Sequence, residues 1–263
     1  MSKGKIIIIG AGKVGTSLAL LLDRTGYSVV HVISATAESA ANLASRFNCT
    51  YSTALTVNGN PDFIMVSVPD QSLKKVLEQI EPSNQETLVI HTAGSYSLDQ
   101  FPENANYRRG ILYPLQTFTS GRQAKLQTIP LFIEGDSDST MKILKKLASD
   151  ISDQVYSIGF EMRQKLHLAA VFVSNFVNHM YYAGEKILTE TGLPLTVLEP
   201  LINETFRKAM AMGPWESQTG PAIRNDNSTI EKHLDLLSFS PELSNIYIAV
   251  TESIIKHYIK QSK

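Results

Sequence analysis

The sequence has little sulfur chemistry to offer. Its single cysteine, Cys49, leaves no partner for an intramolecular disulfide and too few thiolates for a cysteine-based zinc site. No activating motif surrounds it, so Cys49 reads as a small, half-buried residue rather than a nucleophile. No metal site is expected. An excess of one charge is lacking as well: lysine and arginine number 24 against 25 aspartates and glutamates, without a basic block, which argues against a nucleic-acid partner. No window reaches the roughly 18 uninterrupted apolar residues of a membrane span. The apolar run in MSKGKIIIIG is too short for a signal peptide. The expectation is a cytoplasmic protein that meets a small-molecule substrate and no membrane.

What the chain does have is β-branched residues in short runs. KIIIIG (5–10), YSVVHVIS (27–34), DFIMVSVPD (62–70) and ETLVIHTAG (86–94) read as strands buried on both faces. Each leads into a helix or loop, the alternation that builds a parallel sheet from βαβ units. RGILYPL (109–115), IPLFIEG (129–135) and QVYSIG (154–159) extend that sheet, with an amphipathic helix over 138–150. About six to eight strands are expected. After Gly159 the β-rich runs stop. Four helical stretches follow, near 160–190, 195–212, 228–238 and 241–260, punctuated by Gly192, Pro194, Gly213, Pro214 and Pro241. The expected organisation is an α/β domain over 1–159 and an all-helical domain over 160–263.

In IIIIGAGKVGTSLALLLDRTG, the residues Gly10, Ala11, Gly12, Lys13, Val14 and Gly15 set three glycines in G-x-G-x-x-G spacing, directly after a strand and opening a helix that stops at Gly26. In that context the spacing is specific for a dinucleotide. Gly10 permits the tight turn, Gly12 lets a pyrophosphate approach the backbone, and Gly15 lets helix and strand pack closely; the helix start offers N–H groups to the anion. An NAD site usually places a carboxylate about 20 residues further on, at the end of the second strand. Here ISATAES stands there, with Ser34 and Thr36 able to donate to a 2′-phosphate and no carboxylate before Glu38. That favours NADP, with NAD possible; Ser34 alternatively just ends a strand.

Ligands of open α/β sheets collect beyond the carboxyl ends of the strands. Val68, Pro69, His91, Ala93, Gly94 and Ser95 are placed there to border ribose and nicotinamide. His91 has a plainer reading as a strand-end histidine in a hydrogen-bonded turn. Ser95 and Gln116 are candidate substrate contacts.

Together, GAGKVG, VSVPD, HTAGS, LYPLQTF (112–118), HLAAVFVSN (167–175) and TGPAIRNDNSTIEKHL (219–234) resemble a family of Rossmann-like NADP oxidoreductases whose helical C-terminal half is a domain of unknown function. The family is similar, at a distance, to pyrroline-carboxylate reductases, β-hydroxyacid dehydrogenases and deazaflavin-dependent NADP oxidoreductases. The resemblance implies an N-terminal Rossmann domain for NADP, a 6-phosphogluconate-dehydrogenase-like helical domain and a homodimer through the helices. It supplies no substrate. Two departures stand out: the lysine that begins Lys-x-x-x-Asn in β-hydroxyacid dehydrogenases is replaced by Val171, and a histidine common before PLQ is replaced by Tyr113.

Reduction by hydride needs a proton donor near the substrate heteroatom, and histidine suits neutral pH best. His167, in the family motif, is the candidate general acid/base, with Asn175 orienting substrate amide or carboxylate groups. The two are about 12 Å apart along an α-helix and could line one groove without meeting at one atom. Alternatively His167, Ser174, Asn178 and Glu185 form the polar strip of an interface helix. Arg224 either clamps a substrate carboxylate or pairs with Asp226 to fix its loop. Ser228 and Glu231 fit a capping box. His233 reads as structural or as a second-rank site candidate, and Trp215, Tyr181 and Tyr182 as core or interface residues rather than cofactor stackers. The expected function is an NADP-dependent oxidoreductase acting on a small carbonyl or imine that carries a carboxylate. The alternative is a dinucleotide-binding sensor without chemistry of its own.

Overall fold

The computed structural model describes residues 2–118 and 128–259, in two compact units, Met1–Ser174 and Asn175–Lys263. In chain order the first holds β1 (Lys5–Ile9), α1 (Lys13–Arg24), β2 (Ser28–Ile33), α2 (Ala37–Ala44), β3 (Thr50–Ser52), β4 (Phe63–Val66), α3 (Asp70–Leu77), β5 (Leu88–His91), β6 (Arg108–Pro114), β7 (Leu131–Gly135), α4 (Asp138–Ile151), β8 (Val155–Ser157) and α5 (Phe160–Ala170).

The isoleucines of β1 show how the sheet is built. Successive strand residues point to opposite faces, and here both faces are covered: Ile6 and Ile8 join one apolar cluster, Ile7 and Ile9 the other. Phe63 and Met65 against Ile64 and Val66 repeat the division on β4. Leucines and alanines of α1, α2 and α4 complete the first cluster, and Leu73 and Leu77 of α3 the second. Each large apolar side chain buried this way stabilises the fold by roughly 1.5–3 kcal/mol, so a polar residue in place of any of the four isoleucines of β1 would be felt.

The strands lie in the order β3-β2-β1-β4-β5-β6-β7-β8. All neighbours are parallel except β6 and β7, which pair antiparallel with Tyr113 opposite Phe132. The order reverses between β1 and β4, and the carboxyl ends of those two strands frame the crevice of a Rossmann-like sheet. The edge strand β3 has no counterpart in the expected strands. It is three polar residues held to β2 through partners such as His31 and Thr50.

The helical unit contains α6 (Val177–Thr189), α7 (Glu199–Met212), α8 (Asn227–Leu236) and α9 (Pro241–Ile254). A further π-helical turn, Ile255–Ile259, continues α9; residue 260, where the last helix was expected to end, lies outside the described residues. Two expectations change. The helix expected over 160–190 is interrupted by a π-helical segment, Val171–Phe176. Its i→i+5 bonding alters the rotation per residue, so the line through His167, Ser174, Asn178 and Glu185 drawn at a constant α-helical step does not run through it. The capping box at Ser228 does not form either: Asp226 caps α8, its carboxylate accepting from the Thr229 N–H at 3.1 Å and the Thr229 hydroxyl at 2.8 Å.

Candidate functional site

The three glycines differ in what a side chain would meet. At Gly10, with φ of +101°, a β-carbon would stand 2.3 Å from the Ser67 carbonyl oxygen, where the loops after β1 and β4 touch. At Gly15 it would stand 2.0 Å from the Gly10 carbonyl. At Gly12 it would meet nothing within 4 Å. Two glycines therefore close the turn and the helix packing, and the third leaves open backbone at the crevice. Gly12 is also the N-cap of α1 and provides no side-chain acceptor to its first N–H groups. Such a cradle suits a pyrophosphate, whose oxygens would supply the missing acceptors. Around it Ala11 and Val14 pack on the core and Lys13 is exposed.

At the end of β2 three hydroxyls form a chain. The Ser39 hydroxyl lies 2.8 Å from that of Ser34 and 2.7 Å from that of Thr36. Thr36 has a second duty, since its oxygen accepts from the Ser39 N–H and caps α2. Ser39 was not singled out in the sequence; its place three residues after a cap is the signal that could have found it.

Beyond β4, Val68 and Ala93 pack against the second apolar cluster and Pro69 begins α3. His91 needs correcting as a contact made through its ring. The ring is fully buried, Nδ1 accepts from the Ala93 N–H at 3.3 Å, and Nε2 lies 3.4 Å from the Ser97 carbonyl. Burial holds its pKa down at about 4. A neutral His91 thus shapes the 91–97 loop, and neither nitrogen is left for a ligand.

The next feature was not expected from the sequence. Arg163, on α5, is fully buried; its Nε donates to the Gly94 carbonyl at 3.2 Å, Nη2 to the Tyr96 carbonyl at 2.6 Å, and Nη1 pairs with Glu134 on β7. One helical turn later His167 points its Nδ1 at the Tyr113 hydroxyl, 2.9 Å away. Both rings crowd Gly94, where a β-carbon would come within 2.7 Å of Tyr113 and 3.2 Å of His167 Nδ1. Burial raises the pKa of the Tyr113 phenol, which therefore keeps its proton. Gly94, Tyr113, Arg163 and His167 thus form one junction, while Ser95 is half-buried beside it. An arginine four residues before the histidine, on the same helix face, was the available signal.

Gln116 is exposed and its side-chain oxygen accepts from the Thr117 N–H at 2.8 Å. In the helical unit, Asn175 is exposed within the π-helical segment. Arg224 is exposed and makes no salt bridge with Asp226 among the described residues, though its charge, after the Thr229 hydrogen bonds, helps to hold the Asp226 carboxyl below its usual range. His233 bonds Tyr247 at 2.8 Å, and Trp215 stacks on Tyr258 with centroids 4.2 Å apart. Among the described residues no three His, Cys, Asp or Glu side chains gather as metal ligands, and no helix is long and apolar enough to cross a membrane.

Residues 5–94 match the family described as NADP oxidoreductase, coenzyme F420-dependent, and residues 129–254 match a domain of unknown function. A provisionally named NADP oxidoreductase from Bacteroides fragilis is 39% identical, with 97% of this chain and 98% of that one covered and a TM-score of 0.91. A reductive aminase from Aspergillus terreus, solved with NADPH and ethyl-5-oxohexanoate, has a TM-score of 0.71 at 13% identity, covering 97% of this chain and 94% of its own. A 1-pyrroline-5-carboxylate reductase from Streptococcus pyogenes has a TM-score of 0.62 at 14% identity over 96% and 98% of the two chains. At those identities the last two share the fold. No curated protein matches the sequence.

Proposed function

This chain belongs to the family of NADP oxidoreductases that the Bacteroides fragilis protein represents, and we propose that it uses NADPH to reduce a small carbonyl or imine compound. The observation that carries the proposal is the open backbone at Gly12, set where the strand order reverses. There the first N–H groups of α1 would hold the pyrophosphate, and the Ser34, Thr36 and Ser39 hydroxyls would donate to the 2′-phosphate. The loop at 93–95, fixed by Arg163, would border the nicotinamide. The bound cofactor supplies the hydride. His167 would give the accompanying proton to the substrate oxygen or nitrogen, then recover one from solvent. Gly94, held against both rings, keeps that histidine beside the loop.

The substrate class is drawn from chemistry and likeness together. A heteroatom that gains a proton as its carbon gains hydride is a carbonyl or an imine. The Aspergillus and Streptococcus enzymes of the same fold act on such groups by name, and an exposed Arg224 that forms no salt bridge among the described residues supports a substrate that carries a carboxylate.

The helical unit supports a homodimer. No residue of α6 or α7 is buried, and Leu201, Phe206 and Met210 on α7 are 64%, 63% and 69% exposed. Apolar helix faces of that extent are covered in soluble proteins by a partner, here a second copy; sedimentation at micromolar protein would show the dimer, and a monomer would oppose it.

The test of function is to incubate the protein with NADPH and pooled small oxo-acids, ketones and cyclic imines, following nicotinamide absorbance. Consumption that depends on one component supports the reading. Tight NADPH binding without consumption across the pool would favour a nucleotide sensor instead.

A further inference from the structure

We propose that Tyr113 is a positioning residue that fixes His167 with its proton on Nδ1, leaving Nε2 as the nitrogen that works on the substrate. The proposal rests on the reading of His167 as the acid of the reaction. It starts from three observations. Nδ1 of His167 has the Tyr113 oxygen as its hydrogen-bond partner at 2.9 Å. Nε2 has no protein partner among the described residues. The two rings meet edge to face, with centroids 5.9 Å apart and planes at 63°, and Gly94 leaves no room for either to shift toward it.

A phenol can donate or accept, and the chemistry of an acid selects between these. A histidine about to give up a proton carries one on each nitrogen, so in that form Nδ1–H has to donate and Tyr113 has to accept. When substrate is reduced, the Nε2–H bond breaks and a bond from that hydrogen to the substrate heteroatom forms, while hydride from NADPH supplies the electron pair to carbon. The imidazolium becomes neutral with its remaining proton on Nδ1, already bonded to Tyr113. Solvent then restores the proton at Nε2. Tyr113 keeps its own proton throughout, as its burial favours. Tyrosine at this place is therefore a hydrogen-bond acceptor that costs no buried charge, where a carboxylate would add one.

The inference is tested without substrate. In protein labelled with nitrogen-15 at histidine, with His167→Gln used to assign the signals, the neutral His167 should show a protonated Nδ1 and a bare Nε2. Tyr113→Phe keeps the ring and removes the acceptor, and should return His167 to the Nε2–H form that free histidine prefers. A wild-type spectrum with the proton on Nε2 overturns the proposal, and so does a Tyr113→Phe spectrum unchanged from wild type. Once a substrate is in hand, Tyr113→Phe should lower kcat about 10-fold or more with KM for NADPH unchanged; a raised KM with intact kcat would count against it. Because the spectra need no turnover, the tautomer can stand if the reductase reading falls, and the reverse.

Discussion

Gly94 and Tyr113 are in contact so close that residue 94 can carry no side chain while the tyrosine ring stays where it is, with 2.7 Å between the ring and the place of a β-carbon. Gly94→Ala should therefore push Tyr113 and His167 apart. Overpacking of this kind costs about 1–3 kcal/mol, read as a lower urea midpoint, and turnover should fall together with stability. An alanine variant as stable as the parent would show that the junction is looser than described.

The three glycines of the first loop should separate under substitution. Gly10→Ala and Gly15→Ala drive a methyl into backbone at 2.3 and 2.0 Å and should lower the Tm. Gly12→Val places its β-carbon in open space at a φ of −74° that suits any residue, so the Tm of the free protein should fall less than at Gly10 or Gly15, by no more than valine's poorer N-capping costs. Equal losses of stability at all three positions would contradict this division.

Much of the first unit was legible in the sequence, for a physical reason. Strands covered on both faces are apolar along most of their length, so β1, β4 and β5 announce themselves, and the three glycines follow from the turn they open. The edge strand β3 has polar residues and no period to detect. The junction at Gly94 was legible only in part. His167 was marked by its chemistry, but its partner Tyr113 lies 54 residues away. An arginine on a helix reads as solvated until Glu134 and the carbonyls of residues 94 and 96 are seen around it. The π-helical segment at Val171–Phe176 carries no residue that would distinguish it from α-helix.

Glu134→Ala should be costly. It leaves the Arg163 guanidinium, with a side chain only 1% exposed, without its counter-charge. Removing one partner of a buried pair costs about 3–5 kcal/mol. Glu134→Gln keeps an oxygen for Nη1 and should lose less. Urea unfolding checks both, and an alanine variant within experimental error of wild type would refute the role given to the pair.

Stability should depend on pH through His91. Its folded pKa, about 4, lies below the ordinary 6.5 because burial disfavours the charged ring. Between those values the unfolded chain binds the extra proton. The stabilisation is thus complete above the unfolded value and is lost as pH falls toward the folded one. A shift of this size corresponds to something on the order of 3 kcal/mol. His91→Asn should flatten the decline in stability between about pH 6.5 and about pH 4. Parallel curves for variant and parent would remove His91 as its source.

If backbone at Gly12 receives a dinucleotide, calorimetric titration with NADPH and NADH will detect it. The wild-type protein should bind saturably, NADPH more tightly than NADH, and a folded Gly12→Val variant should give no binding heat. Binding of NADPH by that variant as tight as by wild type, or no heat from the wild type with either nucleotide, would contradict that role of Gly12.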